Sequence, residues 1–368
     1  MEKIRPFTLA IPQSDVDDLA DRLSRTRWPD ELPGSGWSRG VPLAFLRDLV
    51  AYWADGFDWR ATEARLNELP QYTTEIDGQP IHFLHIRSGD PGALPLVLTH
   101  GYPSAFAEFT TLIEHLRQDF HLVVPSLPGF GFSTPVREPG WAMGRTARAW
   151  AELMRRLGHD RYGVHGGDIG AGVSGAVAGL DTEHVVGVHV ATDPYTAAAT
   201  ATFLPGMAER LDPADPVDKQ ALERMAEFRT DGAGYLATQN TRPQTIGYLL
   251  NDSPAGQLGW ITESFERSTD LPYDRDQLLT IASLYWFTGS GVTAARFLYE
   301  QAHSSDWGTP PAVPQGFAVF GADPTARRLI DPPAGAYWAE YERGRHFPAM
   351  EAPEVLATDL RTFFAGLK

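Results

Sequence analysis

The sequence predicts an α/β fold in which a mostly parallel central sheet is flanked by helices and carries a helical cap insertion and an N-terminal helical extension. Three observations predict it. Short apolar runs alternate with a helix-like stretch from Leu94 onward, an order that produces parallel strands joined by helical crossovers. After Thr192-Asp193-Pro194 the pattern turns helical and polar for a long stretch with no clear strand. Strand character then returns in Gly316-Phe317-Ala318-Val319-Phe320, ahead of a final helix over 353–367.

Taken in order, Ser14 is placed to cap a helix with Val16, Leu19 and Leu23 at helical spacing, ending before Trp28-Pro29. Pro33-Gly34-Ser35-Gly36 is a loop. Pro42 opens a second helix carrying Leu43, Leu46, Leu49, Val50 and Trp53, and Trp59, Leu66 and Leu69 mark a third. This all-helical lead-in cannot close a core alone, so it is expected to lie across the next part of the chain. From Tyr72 the period drops to two: 73–76 and 81–86 flank Asp77-Gly78 as a hairpin. Runs at 94–99 and 120–124 read as strands with a helix over 109–116 between them. Trp150, Leu153, Met154 and Leu157 mark a helix that Gly158 stops, Val164 ends the next strand, and 184–190 is another. The implied division is 1–72 for the extension, 73–194 for the first part of the sheet unit, 195–310 for the helical cap, and 311–368 for the second part.

With 368 residues, 43% hydrophobic and 21% charged, the chain has the composition of an ordinary globular protein. A net charge of -16 repels phosphate backbones and anionic membrane surfaces, which argues against nucleic acid as a partner. No cysteine is present, so disulfides, thiolate nucleophiles and the common structural zinc sites are excluded together. Met1-Glu2-Lys3-Ile4-Arg5-Pro6 has no apolar h-region behind it and no apolar run approaches the roughly 18 residues of a membrane span, so a cytoplasmic location is expected. Aromatic residues cluster between Trp260 and Tyr299, which suits an apolar pocket and equally suits plain core.

The chemistry centres on His165-Gly166-Gly167-Asp168-Ile169-Gly170-Ala171-Gly172. A strand that turns sharply into a helix strains its corner residue and needs small neighbours, here Gly166 and Gly170. Asp168 stands where a Gly-x-nucleophile-x-Gly pattern places its nucleophile; an ionised carboxylate attacks carbon without a base to deprotonate it. Taken alone, the octapeptide reads equally as an Asx turn. In such folds an oxyanion site takes one N–H from a strand-end loop and one from the residue after the nucleophile; His100-Gly101-Tyr102-Pro103 offers Tyr102, and the second is Ile169. Asp323 and His346 come later in the order nucleophile, acid, histidine, both where loops are expected. The competing dinucleotide reading fails, because neither Gly129-x-Gly131 nor Gly167-x-x-Gly170-x-Gly172 sits in a G-x-G-x-x-G frame.

Together these stretches resemble the epoxide hydrolases of the α/β-hydrolase fold, microsomal-type branch, over nearly the whole length. Arg27-Trp28-Pro29, His100-Gly101-Tyr102-Pro103, Ser126-Leu127-Pro128-Gly129-Phe130-Gly131, Gly234-Tyr235, Asn251-Asp252-Ser253-Pro254 and Gly344-Arg345-His346-Phe347 carry the resemblance, beside the Asp168 octapeptide. It implies Asp168 as nucleophile, His346 as the base that activates water, Asp323 as the residue that orients it, and two cap tyrosines that protonate the epoxide oxygen. Tyr235 matches the first. The second falls on Arg296-Phe297-Leu298-Tyr299-Glu300, where Leu298 holds the aligned position and Tyr299 stands one place along, about 100° around a helix. Ile169 stands where the family usually has Trp, and the microsomal N-terminal anchor is missing, which reads as a soluble relative. The implied reaction needs no cofactor and takes a small-molecule epoxide, bulky or aryl-bearing given the aromatic cap, to a vicinal diol, in detoxification or secondary metabolism. A homodimer is compatible with the sequence. Rival readings are a haloalkane dehalogenase and a catalytically silent binding protein of the same fold.

Overall fold

The computed structural model describes residues 3–269 and 273–367. Its element order opens with β1 (Arg5–Phe7), α1 (Gln13–Ser24), α2 (Leu43–Asp55), α3 (Trp59–Asn67), β2 (Gln71–Ile76), β3 (Gln79–Ile86) and β4 (Leu94–Thr99). A 3-10 turn (Phe106–Phe109) leads into α4 (Thr110–Leu116), then β5 (Phe120–Pro125), α5 (Met143–Leu157), β6 (Tyr162–Gly166), α6 (Ile169–Leu180) and β7 (Val185–Thr192). The helical insertion contains α7 (Pro194–Thr202), α8 (Pro216–Glu227), α9 (Gly234–Thr241), α10 (Pro243–Asp252), α11 (Pro254–Ser268), α12 (Arg275–Thr288) and α13 (Ser290–His303). The chain closes with β8 (Gln315–Phe320), α14 (Pro324–Ile330), β9 (Tyr337–Tyr341), α15 (Pro348–Glu351) and α16 (Pro353–Ala365).

Among the described residues the strands form one sheet in the order β1-β2-β3-β5-β4-β6-β7-β8-β9. The three pairings from β1 to β5 are antiparallel and the rest are parallel, so the sheet is mixed, with a parallel half where the chemistry gathers. Strand alternation sends Leu96, Leu98, Leu122 and Val124 to one face, where they join Leu112 and Leu116 of α4 and Leu360 and Phe364 of α16. Val97, Val123 and Val164 join Trp150 and Leu153 of α5 and Val173 and Val177 of α6 on the other. Each such leucine, buried on both sides, contributes about 2 kcal/mol.

The insertion is helical because helix starts recur along it. Asp193-Pro194, Asp215-Pro216 and Ser253-Pro254 each place a side-chain acceptor at the N-cap and a proline at the first helical position. The N-terminal helices, expected over the stretch that follows them, also reach this insertion: Trp53 Nε1 donates to Ser283 Oγ of α12 at 3.0 Å, and Arg22 reaches Asp252 at 3.1 Å.

Two expectations need correction. Ser14 does not cap α1; Pro12 holds that position without a side-chain bond, and Ser14 donates to Asp15. The lead-in is not all-helical, since Arg5–Phe7 pairs with β2 as a sheet edge. The edge strand β9 carried no alternating signal, because its residues are half-buried along most of their length rather than on one face. No single helix among the described residues is long and apolar enough to cross a membrane, and the bent pair α12–α13, which is by length and composition, is largely core.

Candidate active site

The strand-to-helix corner is built as its composition requires. Asp168 stands at φ +52°, ψ −127°, between the end of β6 and the start of α6. A non-glycine residue held there costs about 1–3 kcal/mol, which the surroundings must enforce. They enforce it by close approach: a Cβ on Gly166 would lie 2.3 Å from Gly170 carbon, and one on Gly170 would lie 1.9 Å from the Thr99 carbonyl oxygen. The carboxylate therefore projects above the carboxyl ends of the parallel strands, at the positive end of α6. The Tyr102 backbone N–H donates to Asp168 Oδ1 at 2.8 Å. Ile169 contributes the first amide of α6, which no intrahelical carbonyl can reach.

Asp168 Oδ2 faces His346 Nε2 at 3.8 Å. The imidazole arrives from the loop after β9, where its backbone N–H donates to the Ser268 carbonyl at 3.0 Å, and its side chain is only 9% exposed. Its other nitrogen, Nδ1, lies 2.6 Å from Thr196 Oγ1 and 3.4 Å from Asp193 Oδ2. Thr196 in turn donates to Asp193 Oδ2 at 2.5 Å. Burial works against the imidazolium, but the Asp193 hydrogen bond and the charges of Asp168, Asp193 and Glu108 outweigh it and raise His346 to about 9. Burial would also raise Asp193, yet His346 and Thr196 together hold it below the usual carboxylate range.

Asp323 is not at this site. Its carboxylate caps α14, accepting from Thr325 N at 2.8 Å, and its second oxygen pairs with Arg224 of α8. The group beside His346 is Asp193, which in the sequence stands out only as the boundary of the insertion. The signal that could have found it is an Asp-Pro pair at the carboxyl end of a parallel strand, a feature that Asp323 shares.

Tyr235 and Tyr102 line one cavity with their rings parallel, 6.2 Å apart and 7° off. Burial raises both hydroxyls, and Asp168 pushes them the same way. The Tyr102 oxygen accepts from Trp260 Nε1 at 2.7 Å and from Gln239 Nε2 at 3.2 Å, tying the strand-end loop to α11 and α9. Tyr299 is turned away: its ring stacks on His303 at 4.1 Å, and Leu298 faces the cavity instead. One step along α13 accounts for the difference.

The family profile described as "Epoxide hydrolase N terminus" matches residues 4–109, and that described as "alpha/beta hydrolase fold" matches 95–286. "Epoxide hydrolase 1" of Sus scrofa is 32% identical, covering 100% of this chain and 90% of its own length. The chain belongs to the epoxide hydrolases of the α/β-hydrolase fold, microsomal-type branch. A second relative of this hydrolase, named "Putative epoxide hydrolase" in Stigmatella aurantiaca, is 42% identical over 99% of the chain and 86% of its own. The solved structure of Aspergillus niger epoxide hydrolase superposes with a TM-score of 0.85 at 32% identity, covering 100% of this chain and 97% of that one.

In this epoxide hydrolase the cavity above Asp168 measures about 770 Å³. Ile169, Trp260, Phe203, Leu236 and Leu298 give it apolar walls, while Asp168, His346 and the two tyrosine hydroxyls supply convergent polar groups. No group of three or more potential metal ligands occurs among the described residues.

Proposed function

We propose that this hydrolase opens a bulky, largely apolar epoxide through a covalent ester on Asp168. The observation that carries the reading is the division of labour at one carboxylate: Tyr102 N–H holds Oδ1, and Oδ2 is left facing the cavity beside His346. Oδ2 attacks a ring carbon, the carbon–oxygen bond breaks, and Tyr235 gives its proton to the leaving oxygen. The imidazolium proton of His346 then replaces the one Tyr235 lost. Forming the ester also removes the charge on Asp168, one of the causes that hold the proton on His346. The ring therefore becomes a base at the stage when a base is needed.

His346 next takes a proton from water, the hydroxide adds to the Asp168 carbonyl carbon, and the N–H groups of Tyr102 and Ile169 stabilise the oxyanion. The ester carbon–oxygen bond breaks, the departing alkoxide takes the proton from His346, the acid left on Asp168 returns its own proton to the imidazole, and a vicinal diol leaves. Asp193, with Thr196 as the bridge, keeps the imidazole turned with Nε2 toward Asp168. Neither Asp323 nor Tyr299 takes part in either step. A halide site finds less support, because the Trp260 indole N–H is already committed to Tyr102.

One turnover in heavy-oxygen water tests the ester route. The isotope is expected in the Asp168 side chain, read by peptide mass spectrometry; label appearing only in the diol would refute it. H346Q should stop after the first step, with substrate mass added to the protein.

A further inference from the structure

Behind the loop that carries Tyr102 lies a carboxyl group that the two-step hydrolysis leaves idle. Glu108 sits in the 3-10 turn Phe106–Phe109 and is 8% exposed. Its Oε2 is out of contact with solvent and, like the Ser104 hydroxyl one turn earlier, makes no well-aligned hydrogen bond, although the two side chains lie close enough for the hydroxyl to favour the carboxylate. Two orphaned polar atoms in one buried turn are unusual, because each costs about 1–3 kcal/mol when left unmet. Neither orphan results from a loose loop. The Ser104 carbonyl accepts from Tyr285 Oη at 3.0 Å, the Ser104 amide donates to Gly101 at 3.2 Å, and the Glu108 amide donates to Ala105 at 3.0 Å.

The surroundings point to what fills the gap. The turn packs against α12, α4 and α15, and α15 begins two residues after His346. Burial pushes the Glu108 carboxyl up to about 7; Ser104 and His346 draw it down, and Asp168 pushes it further up. Glu108 is thus an electrostatic neighbour of both the nucleophile and the base, as the reverse influence on His346 shows. Paired buried polar atoms of this kind are met by an ordered water, which needs two to four polar partners.

We propose that Glu108 and Ser104 hold the water that hydrolyses the Asp168 ester, so that Glu108 is a catalytic residue of the second chemical step. The proposal rests on the ester route. Glu108 Oε2 accepts one hydrogen of the water while His346 Nε2 removes the other, which aims the oxygen lone pair at the Asp168 carbonyl carbon. The water oxygen bonds to that carbon, the ester bond breaks, and the His346 proton passes to the leaving alkoxide. Glu108 gains and loses no proton over the cycle. A purely structural carboxyl would show no preference between the two steps.

The test separates them. In rapid-quench single turnovers of E108Q, ester formation should stay within about threefold of wild type while ester hydrolysis falls tenfold or more, a loss on the scale of general-base effects. The intact protein should then accumulate the substrate adduct at Asp168 during steady turnover. E108D should recover part of the hydrolysis rate. S104A retains the carboxylate and removes the second partner, so it should slow hydrolysis by a smaller factor, and it carries the test alone should E108Q not fold. Equal slowing of both steps, or hydrolysis at the wild-type rate in a folded variant, would overturn the proposal. An adduct trapped in H346Q but not in E108Q rejects the role of Glu108 and keeps the ester route. Its absence from both rejects the ester route itself.

Discussion

The carboxyl ends of β7 and β8 carry the same local structure twice, and the two copies end in different places. Asp193 stands at φ −142°, ψ 166° and Asp323 at φ −145°, ψ 167°; each is an N-cap followed by proline, and each accepts from the amide two residues on. Asp193 is 3% exposed and shares His346 with Thr196. Asp323 has a side chain 22% exposed and an arginine for a partner. The difference teaches that a strand-end Asp-Pro specifies a cap and nothing more. Which cap serves the histidine depends on the element packed above it.

The largest expected effect tests that contrast directly. D193N should lower kcat by about 10²- to 10⁴-fold by releasing the imidazole from its orientation. D323N should stay within about threefold, because a partly exposed ion pair and a cap that asparagine also satisfies are all it alters. Equal losses in steady-state assays would erase the distinction. Next in size is the tyrosine pair. Y235F should cost roughly 10- to 100-fold in ester formation, while Y299F should leave the rate unchanged, since its ring lies on His303 outside the cavity.

A smaller effect concerns pH. The folded value of His346, about 9, exceeds its unfolded value of 6.5. Its ion-pair contribution to stability is therefore complete below about pH 6.5 and is lost as pH rises through about 9. Denaturant unfolding across that window should show the loss in wild type and a weaker one in D193N, where a main cause of the raised value is gone. The smallest is T196V, expected to slow turnover by about tenfold and to leave the 3.4 Å approach of Asp193 as the only support of Nδ1.

The elbow is legible because its constraints are local: Gly166, Asp168 and Gly170 meet within one turn and permit the strained corner, and the later histidine decides against a plain Asx turn. The sheet was legible where strands are buried on both faces and read as apolar runs, as at 94–99 and 316–320. It was not legible at β1 and β9, which lie on edges and carry no alternation. The outward turn of Tyr299 is not legible, because one residue of helix phase cannot be read without the packing of α13 against its neighbours. Asp193 does not stand out in the sequence because Asp323 carries the same Asp-Pro signal at the place that the chain order favours.

By itself the sequence determined where strands turn into helices along the buried part of the sheet, and that a carboxylate stands at a corner above parallel strands. Interactions within four or five residues settle each of these. Only the tertiary structure decided which aspartate meets His346, across 153 residues of chain, and which hydroxyls face the cavity. It also decided that Glu108 lies buried with an oxygen unmatched. Those outcomes belong to the packing of α7, α8 and α15 over the sheet, and packing is a property of the whole chain that no local stretch encodes.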